Sequence, residues 1–189
     1  MFLFVGLLLM SSCERQEESL LFIGDSLIYE WDILRSFPSS NVVNLGVPGA
    51  QIGDIQTWNI DSRGKTIVLL IGTNNLPHLN LEEPFPDNFT NSFVNSYLDV
   101  IQTFNANKII AISILPRHKD VESKLYNKEI EKINEQLANA LSFDSHIVFL
   151  NAYDLFLKEG DINLVYFKDG LHLNHLGYEL LTQLVKEKL

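Results

Sequence analysis

Five short apolar segments recur along the chain and are typical of buried β-strands. They are Leu20–Ile23, Val42–Leu45, Thr66–Ile71, Ile109–Ile114 and Ile147–Leu150. Each is rich in β-branched residues and does not alternate with polar residues. This is the pattern of strands whose two faces are both covered in a parallel sheet. The chain is therefore predicted to build five parallel strands.

Amphipathic helical patterns separate the later strands. Apolar residues recur at three- or four-residue spacing within 87–105, less regularly within 122–141, and as a single stripe within 174–189. Strands that alternate with helices in this way are typical of a doubly wound α/β domain. We therefore predict a three-layer α/β/α, flavodoxin-like domain over residues 20–189, with a five-stranded parallel sheet in the order 2-1-3-4-5.

Composition and charge narrow the class of partner. The chain has 189 residues, the size of one domain, and 46% of them are hydrophobic. Its formal net charge is −10, which argues against a nucleic-acid binder, because such proteins present a basic surface to the phosphates. The same charge argues against attachment to anionic lipid by electrostatics alone. A neutral or cationic small-molecule partner is favoured.

The N-terminus carries an apolar run that ends at the only cysteine of the chain. Residues 1–12 are uncharged, and the run is too short to span a bilayer, which takes about 20 apolar residues. It is typical of an export signal, although no Lys or Arg precedes it. The stretch 9–13 (LMSSC) resembles a bacterial lipobox, whose cysteine carries the lipid. We therefore predict a signal peptide over 1–12, lipid attachment at Cys13 and a tether over 13–19.

This interpretation places the protein in a bacterial cell envelope, attached by its lipid to a membrane and either periplasmic or at the surface. Two alternatives stay open from the sequence. The apolar run could be a core strand beside an incidental cysteine. Alternatively, translation could start at Met10 and leave a cytoplasmic protein.

Polar residues follow three of the predicted strands, at the edge of the sheet where open α/β folds bind ligands. Ser26 follows the first strand, Gly46 the second and Asn74 the third. A serine can act as a nucleophile, a glycine leaves its N–H accessible, and an asparagine amide can donate to an oxyanion. Taken singly, each residue is equally compatible with an ordinary turn or helix cap.

An aspartate and a histidine lie close together near the C-terminus. Asp169 and His172 are three residues apart, so the carboxylate can orient the imidazole and fix its tautomer. In the predicted strand order the first strand lies between the second and the third, and segment 151–171 is long enough to return His172 to Ser26. Nucleophile, base, orienting acid and oxyanion donors then meet at one edge, which is the set that acyl transfer requires.

Together these residues resemble the four sequence blocks of the GDSL/SGNH hydrolase family. They are Ser26 in GDSL, Gly46 in NLGVPG, Asn74 in GTNN and His172 in DGLH, in the family's order. The resemblance implies a serine ester hydrolase in which Ser26 is the nucleophile, His172 the base and Asp169 its orienter. It also implies an oxyanion hole formed by the N–H groups of Ser26 and Gly46 and the Asn74 side chain.

Two details refine the resemblance. The stretches GDSLIYEW, NVVNLGVPG and ILPR are most similar to the platelet-activating-factor acetylhydrolase-like group of the family. Asn75 stands where the family usually has Asp. This difference affects how the loop that carries Asn74 is supported. No metal or organic cofactor is expected, because His175 has no cysteine and no cluster of carboxylates beside it in the sequence.

The expected reaction is removal of a short acyl group, such as acetyl, from a neutral alcohol or sugar through an acyl-enzyme. Segment 76–86 is the one loop long enough to cover a long acyl chain, and its Glu82, Glu83 and three prolines disfavour insertion into lipid. Two alternatives stay open. One is a lysophospholipase or thioesterase with the same site, and the other is a non-catalytic surface lipoprotein that binds glycan.

Overall fold

Five parallel strands form one sheet in the order β2-β1-β3-β4-β5. They are β1 (Ser19–Gly24), β2 (Asn41–Gly46), β3 (Thr66–Leu70), β4 (Lys108–Ile112) and β5 (Ile147–Leu150). The structure is a computed structural model that describes residues 18–76, 85–118 and 123–189, without the side chains of 123–125. The predicted strands and their order are confirmed.

Three long helices match the amphipathic patterns, and three helices of a single turn precede them in the chain. The helices are α1 (Ser26–Tyr29), α2 (Ile33–Ser36), α3 (Ile52–Ile55), α4 (Phe89–Gln102), α5 (Ser123–Leu141) and α6 (His175–Lys186). The pattern does not predict α1, α2 and α3, because four residues are too few to show a helical repeat. Segment 151–171 also contains a small antiparallel ribbon, β6 (Leu157–Lys158) and β7 (Asp161–Ile162).

The sheet separates two apolar cores, which gives the three layers. Successive strand residues point to opposite faces, so Leu21 and Ile23 lie in one core while Leu20 and Phe22 lie in the other. The first core is closed by α3, α4 and α5, and the second by α1, α2 and α6. The α/β/α architecture is confirmed.

Strand β2 differs from its prediction as a strand buried on both faces. Most of its residues are exposed or half-buried, and Val43 keeps 41% of its surface exposed. The strand is exposed because it lies at the edge of the sheet, with a neighbouring strand on one side only, and because the helices α1 and α2 beside it are single turns.

Several predictions fall on residues that the structure does not describe. They are the signal peptide over 1–12, the lipid site at Cys13 and residues 77–84 of the loop 76–86. Ser19, the last residue of the predicted tether, pairs with Asn41 at the start of β1. Within the described ranges, no helix is both long enough and apolar enough to cross a membrane.

Candidate active site

Ser26 is the first residue of α1, at the carboxyl end of β1. The turn between strand and helix requires Gly24, because a Cβ there would lie 2.0 Å from the carbonyl oxygen of Leu70 on β3. Asp25 caps the helix, and its Oδ1 accepts a hydrogen bond from the Leu27 N–H at 2.9 Å. The Ser26 N–H has no partner within its own helix and is available to a ligand.

Ser26, His172 and Asp169 form one hydrogen-bonded chain. The Oγ of Ser26 lies 3.0 Å from Nε2 of His172, and Nδ1 of His172 lies 2.7 Å from Oδ2 of Asp169. The other carboxylate oxygen, Oδ1, accepts the N–H groups of His172 at 2.7 Å and Leu171 at 3.0 Å. The carboxylate therefore fixes Nδ1 as the protonated nitrogen and leaves Nε2 to accept the serine proton. The structure brings the three predicted residues together in the predicted order.

Asp169 is held in its charged form. Partial burial acts to raise the pKa of its carboxyl, but hydrogen bonds from the His172 N–H, the His172 ring and the Leu171 N–H lower that pKa below its ordinary value. Asp169 is therefore ionised at neutral pH. A negative charge at this position stabilises the imidazolium that forms when His172 takes the serine proton.

The loop that carries Asp169 and His172 is fixed at both ends. Gly170 has a φ of +77°, and a Cβ there would lie 2.4 Å from the His118 carbonyl oxygen, so only glycine fits. The Gly170 carbonyl accepts the His118 N–H at 2.7 Å. On the other side, Asn174 caps α6 and accepts the N–H groups of its first turn. The sequence pattern does not identify His118 or Asn174 as supports of the loop.

The Asn74 amide is oriented by the segment that follows β2. Its Nδ2 donates to the Ala50 carbonyl at 3.0 Å, and the Asn74 carbonyl accepts from Gln51 Nε2 at 3.1 Å. Asn75 Oδ1 accepts the Ile52 N–H at 2.9 Å. Because an amide nitrogen has two N–H donors, Asn74 keeps one for an oxyanion. Asn75 therefore supports the loop with a neutral acceptor in the position where the family usually has a carboxylate.

Gly46 does not present its N–H to the cleft, which corrects the prediction of Gly46 as an oxyanion donor. The Gly46 N–H donates to Asn44 Oδ1 at 2.8 Å, and Asn44 Nδ2 donates to the Ile28 carbonyl at 2.8 Å. A Cβ on Gly46 would lie 2.2 Å from the Tyr29 nitrogen. Glycine is needed here because α1 packs directly on the end of β2.

Gly49 has the accessible N–H that Gly46 lacks. It has a φ of +80° and follows Pro48, and the Ala50 N–H donates to the Val47 carbonyl at 3.0 Å. This is the arrangement of a type II turn with Pro48 and Gly49 at its centre. Among the described residues, none accepts a hydrogen bond from the Gly49 N–H.

The turn containing Gly49 lies between Ser26 and Asn74. At one end, the Val47 N–H donates to the carbonyl of Gly24, two residues before Ser26. At the other end, the Ala50 carbonyl accepts from Asn74. The candidate oxyanion donors are therefore the N–H groups of Ser26 and Gly49 and the Asn74 amide. The Pro-Gly dipeptide is the sequence signal for the second donor, because it predicts a type II turn.

Asp25 places a buried carboxyl beside Ser26. The sequence pattern alone does not distinguish this residue from an ordinary helix cap. Its Oδ2 is buried and has no hydrogen-bond partner among the described residues. Burial raises the pKa of Asp25 to about 6, while the Leu27 N–H and the positive charge of His172 act in the opposite direction. Within the described ranges, no group of three or more His, Cys, Asp or Glu side chains is arranged to hold a metal ion.

The fold and the linked side chains of Ser26, His172 and Asp169 place the chain in the class of α/β proteins with a Ser-His-Asp site. The sequence profile of the GDSL-like Lipase/Acylhydrolase family matches residues 22–180. The chain belongs to this family.

Three known proteins are similar to the chain over most of its length. A Streptococcus pneumoniae protein named provisionally as a platelet activating factor is 26% identical, with a TM-score of 0.73, over 94% of this chain and 86% of that one. The acetyl xylan esterase AlAXEase has the same fold, with 18% identity and a TM-score of 0.62, over 90% of this chain and 99% of that one.

The third is the N-acylneuraminate cytidylyltransferase of Escherichia coli, 26% identical over 173 residues, which is 87% of this chain. The match spans 39% of that protein. The chain therefore spans about two fifths of the length of this curated relative.

Proposed function

We propose that the protein is a serine ester hydrolase that removes a short acyl group, acetyl above all, from a neutral alcohol or sugar. The observation that carries the proposal is the 3.0 Å contact between Ser26 Oγ and His172 Nε2, with Asp169 on the far side of the imidazole. A serine, a base and an oriented acid in this chain are what nucleophilic acyl transfer needs.

Each residue has a defined part in the proposed reaction. Ser26 Oγ attacks the ester carbonyl as His172 Nε2 takes its proton, and Asp169 stabilises the resulting imidazolium. The N–H groups of Ser26 and Gly49 and the Asn74 amide donate to the oxyanion. His172 then gives the proton to the leaving alcohol, which leaves an acyl group on Ser26. Water, activated by His172, attacks that acyl-enzyme and releases the acid.

Charge and similarity support a small, neutral substrate. The chain carries a net charge of −10, which repels anionic phospholipid or acyl-CoA, whereas an acetylated sugar carries no charge. The acetyl xylan esterase neighbour has, by its name, a substrate of this kind and shares the fold over 90% of this chain. The similarity of ILPR and the other stretches to the acetylhydrolase-like group favours the same acyl group.

A series of p-nitrophenyl esters on the purified domain tests the acyl preference. We expect kcat/KM to be highest for acetate or butyrate. It should fall steeply beyond about eight carbons, because added methylenes, worth ~0.8 kcal/mol each if buried, find no pocket. A maximum at a long-chain ester would contradict the proposal and favour the lysophospholipase or thioesterase alternative.

We further propose that Cys13 carries lipid and holds the enzyme in a bacterial cell envelope. The support is the position of the only cysteine, directly after an uncharged apolar run. One acyl chain gives marginal membrane binding, so stable attachment requires more than one chain on the residue. The mature protein should partition into detergent, and Cys13→Ser should abolish this. Mass spectrometry that finds an intact, unmodified Met1 would contradict the proposal.

A further inference from the structure

A groove of about 1030 Å³, lined by charged side chains around the apolar residues Trp31 and Leu173, lies between α6 and segment 30–36. One wall is the stripe of α6 that includes Tyr178, Glu179 and Gln183. From His175 to Lys186 this wall is about 16 Å long at the rise of an α-helix. That length suits a chain of several small units better than a single small molecule.

The upper end of the groove lies next to the catalytic residues. Glu30 lines it, and the Glu30 N–H donates to the Ser26 carbonyl at 3.0 Å, one helical turn from the nucleophile. Lys168 lines it as well, and its N–H donates to the His172 carbonyl at 2.9 Å. These two contacts bring one end of the groove close to the ester that Ser26 would attack.

The groove walls carry charges of both signs. Four acidic and three basic residues line it, a formal net charge of −1 in a chain whose total is −10. They are Glu30, Asp32, Glu179 and Glu187 with Arg35, Lys168 and Lys186. Charged side chains of both signs can donate to and accept from the hydroxyl groups of a neutral sugar chain, whereas an acyl chain would desolvate them without compensation.

The base of the groove contains the half-buried ring of Tyr178, against which a sugar ring can pack. The half-buried Tyr178 ring packs on buried Trp31, with ring centroids 5.7 Å apart. The Tyr178 hydroxyl donates to the Leu27 carbonyl at 2.9 Å, and the indole Nε1–H of Trp31 donates to Thr182 Oγ1 at 3.1 Å. Both rings are held in place, and a rigid ring surface packs against a ligand at low entropic cost.

We propose that this groove binds the sugar chain beyond the acetylated residue, so that the substrate is an O-acetylated neutral oligosaccharide rather than an isolated small ester. The inference rests on the proposed function, because it extends the substrate of the same Ser26 site. The acetyl group reacts at Ser26, and the chain lies across the Glu30 and Lys168 end of the groove and along α6.

The test compares kcat/KM for acetylated xylo-oligosaccharides, from the disaccharide upward, with kcat/KM for p-nitrophenyl acetate. We expect their ratio to rise with chain length and to level off when the groove is full. Gln183→Trp places an indole in the middle of the groove and should lower this ratio about tenfold. Gln136→Trp is the matched control, because Gln136 is an exposed glutamine of α5 on the opposite side of the sheet, and it should not change the ratio.

A second variant keeps the test decisive if the bulky substitution disturbs folding. Glu179→Ala removes an exposed acceptor from the same wall and should lower the ratio several-fold. A ratio that does not depend on chain length, or that is unchanged in both groove variants, would overturn the groove proposal. Hydrolysis of p-nitrophenyl acetate by the same protein would still support the proposed esterase activity. Failure of the wild-type protein to hydrolyse either ester would overturn the proposed function, and the groove proposal with it.

Discussion

Lys168 and Glu30 join the two halves of the active site through an ion pair whose Nζ and Oε2 atoms are 2.8 Å apart. The Glu30 N–H donates to the Ser26 carbonyl, and the Lys168 N–H donates to the His172 carbonyl. Together with the hydrogen bond between Ser26 Oγ and His172 Nε2, these contacts form a closed ring that includes the nucleophile and the base. The ion pair therefore connects α1 to the loop that carries His172.

Loss of this ion pair should weaken catalysis without unfolding the protein. Because both side chains are partly exposed, the pair is worth at most about 1 kcal/mol, so Lys168→Met should lower kcat by about two- to fivefold. The charge exchange Lys168→Glu with Glu30→Lys should recover most of that loss. Steady-state kinetics at rising salt should show wild-type kcat approaching that of Lys168→Met, because salt screens the pair.

The control is Arg63→Met, which removes the exposed ion pair to Asp61 before β3, at the opposite end of the sheet from the site. It should leave kcat and its salt dependence unchanged. Equal losses in Lys168→Met and Arg63→Met would show that the link across the site has no positioning role.

Asp25 should make the fold less stable as pH rises toward neutrality. The folded protein holds the Asp25 proton up to a pKa of about 6, whereas the unfolded chain releases it near the ordinary value of 3.8. Between these values the folded state binds more protons, so the free energy of unfolding falls as pH rises from about 4 to about 6. Asp25→Asn keeps an acceptor for the Leu27 N–H and removes the charge.

Urea unfolding of wild type and Asp25→Asn across this pH range checks the sign. The two should be similar near pH 4, and the variant should be more stable by up to about 3 kcal/mol at neutral pH. A stability difference that does not change with pH would contradict the buried, proton-binding role of Asp25.

Substitution of two neighbouring glycines should distinguish the oxyanion donor from the packing residue. Gly49→Ala meets no atom within 4 Å, but its φ of +80° costs an alanine about 1–2 kcal/mol and displaces the N–H. The variant should fold and lose kcat by about tenfold. Gly46→Ala would place its Cβ against the Tyr29 backbone and should fail to fold. Thermal melting and kcat measured together check both, and unchanged kcat in Gly49→Ala would remove Gly49 from the donor set.

Substitution of Asn74 and substitution of Asn75, which supports its loop, should lower kcat by different amounts. Asn74→Ala should lower kcat by about 10²–10³, as loss of one oxyanion donor does. Asn75→Ala leaves the Ile52 N–H without its acceptor and should have a smaller effect. Asn75→Asp keeps an acceptor oxygen and should retain kcat within a few-fold. A change in KM alone for Asn74→Ala would contradict its role as an oxyanion donor.

The sequence predicts the sheet because its strands are continuous apolar segments, and β1, β3 and β4 are buried as expected. Ser26, Asp169 and His172 are predictable because their motifs lie at strand ends and in the return after β5. The Pro48-Gly49 dipeptide indicates a turn, but the local sequence does not show that the Gly46 N–H donates to Asn44 where α1 packs on β2. The burial of Asp25 also depends on the surrounding fold.

In the proposed reaction, His172 activates Ser26 as the nucleophile. Reaction of the protein with a fluorophosphonate, followed by intact-mass and peptide mass spectrometry, measures that activation. We expect one adduct on Ser26, none in Ser26→Ala, and labelling slowed by several orders of magnitude in His172→Ala. An adduct on another residue, or equal labelling rates in wild type and His172→Ala, would contradict it.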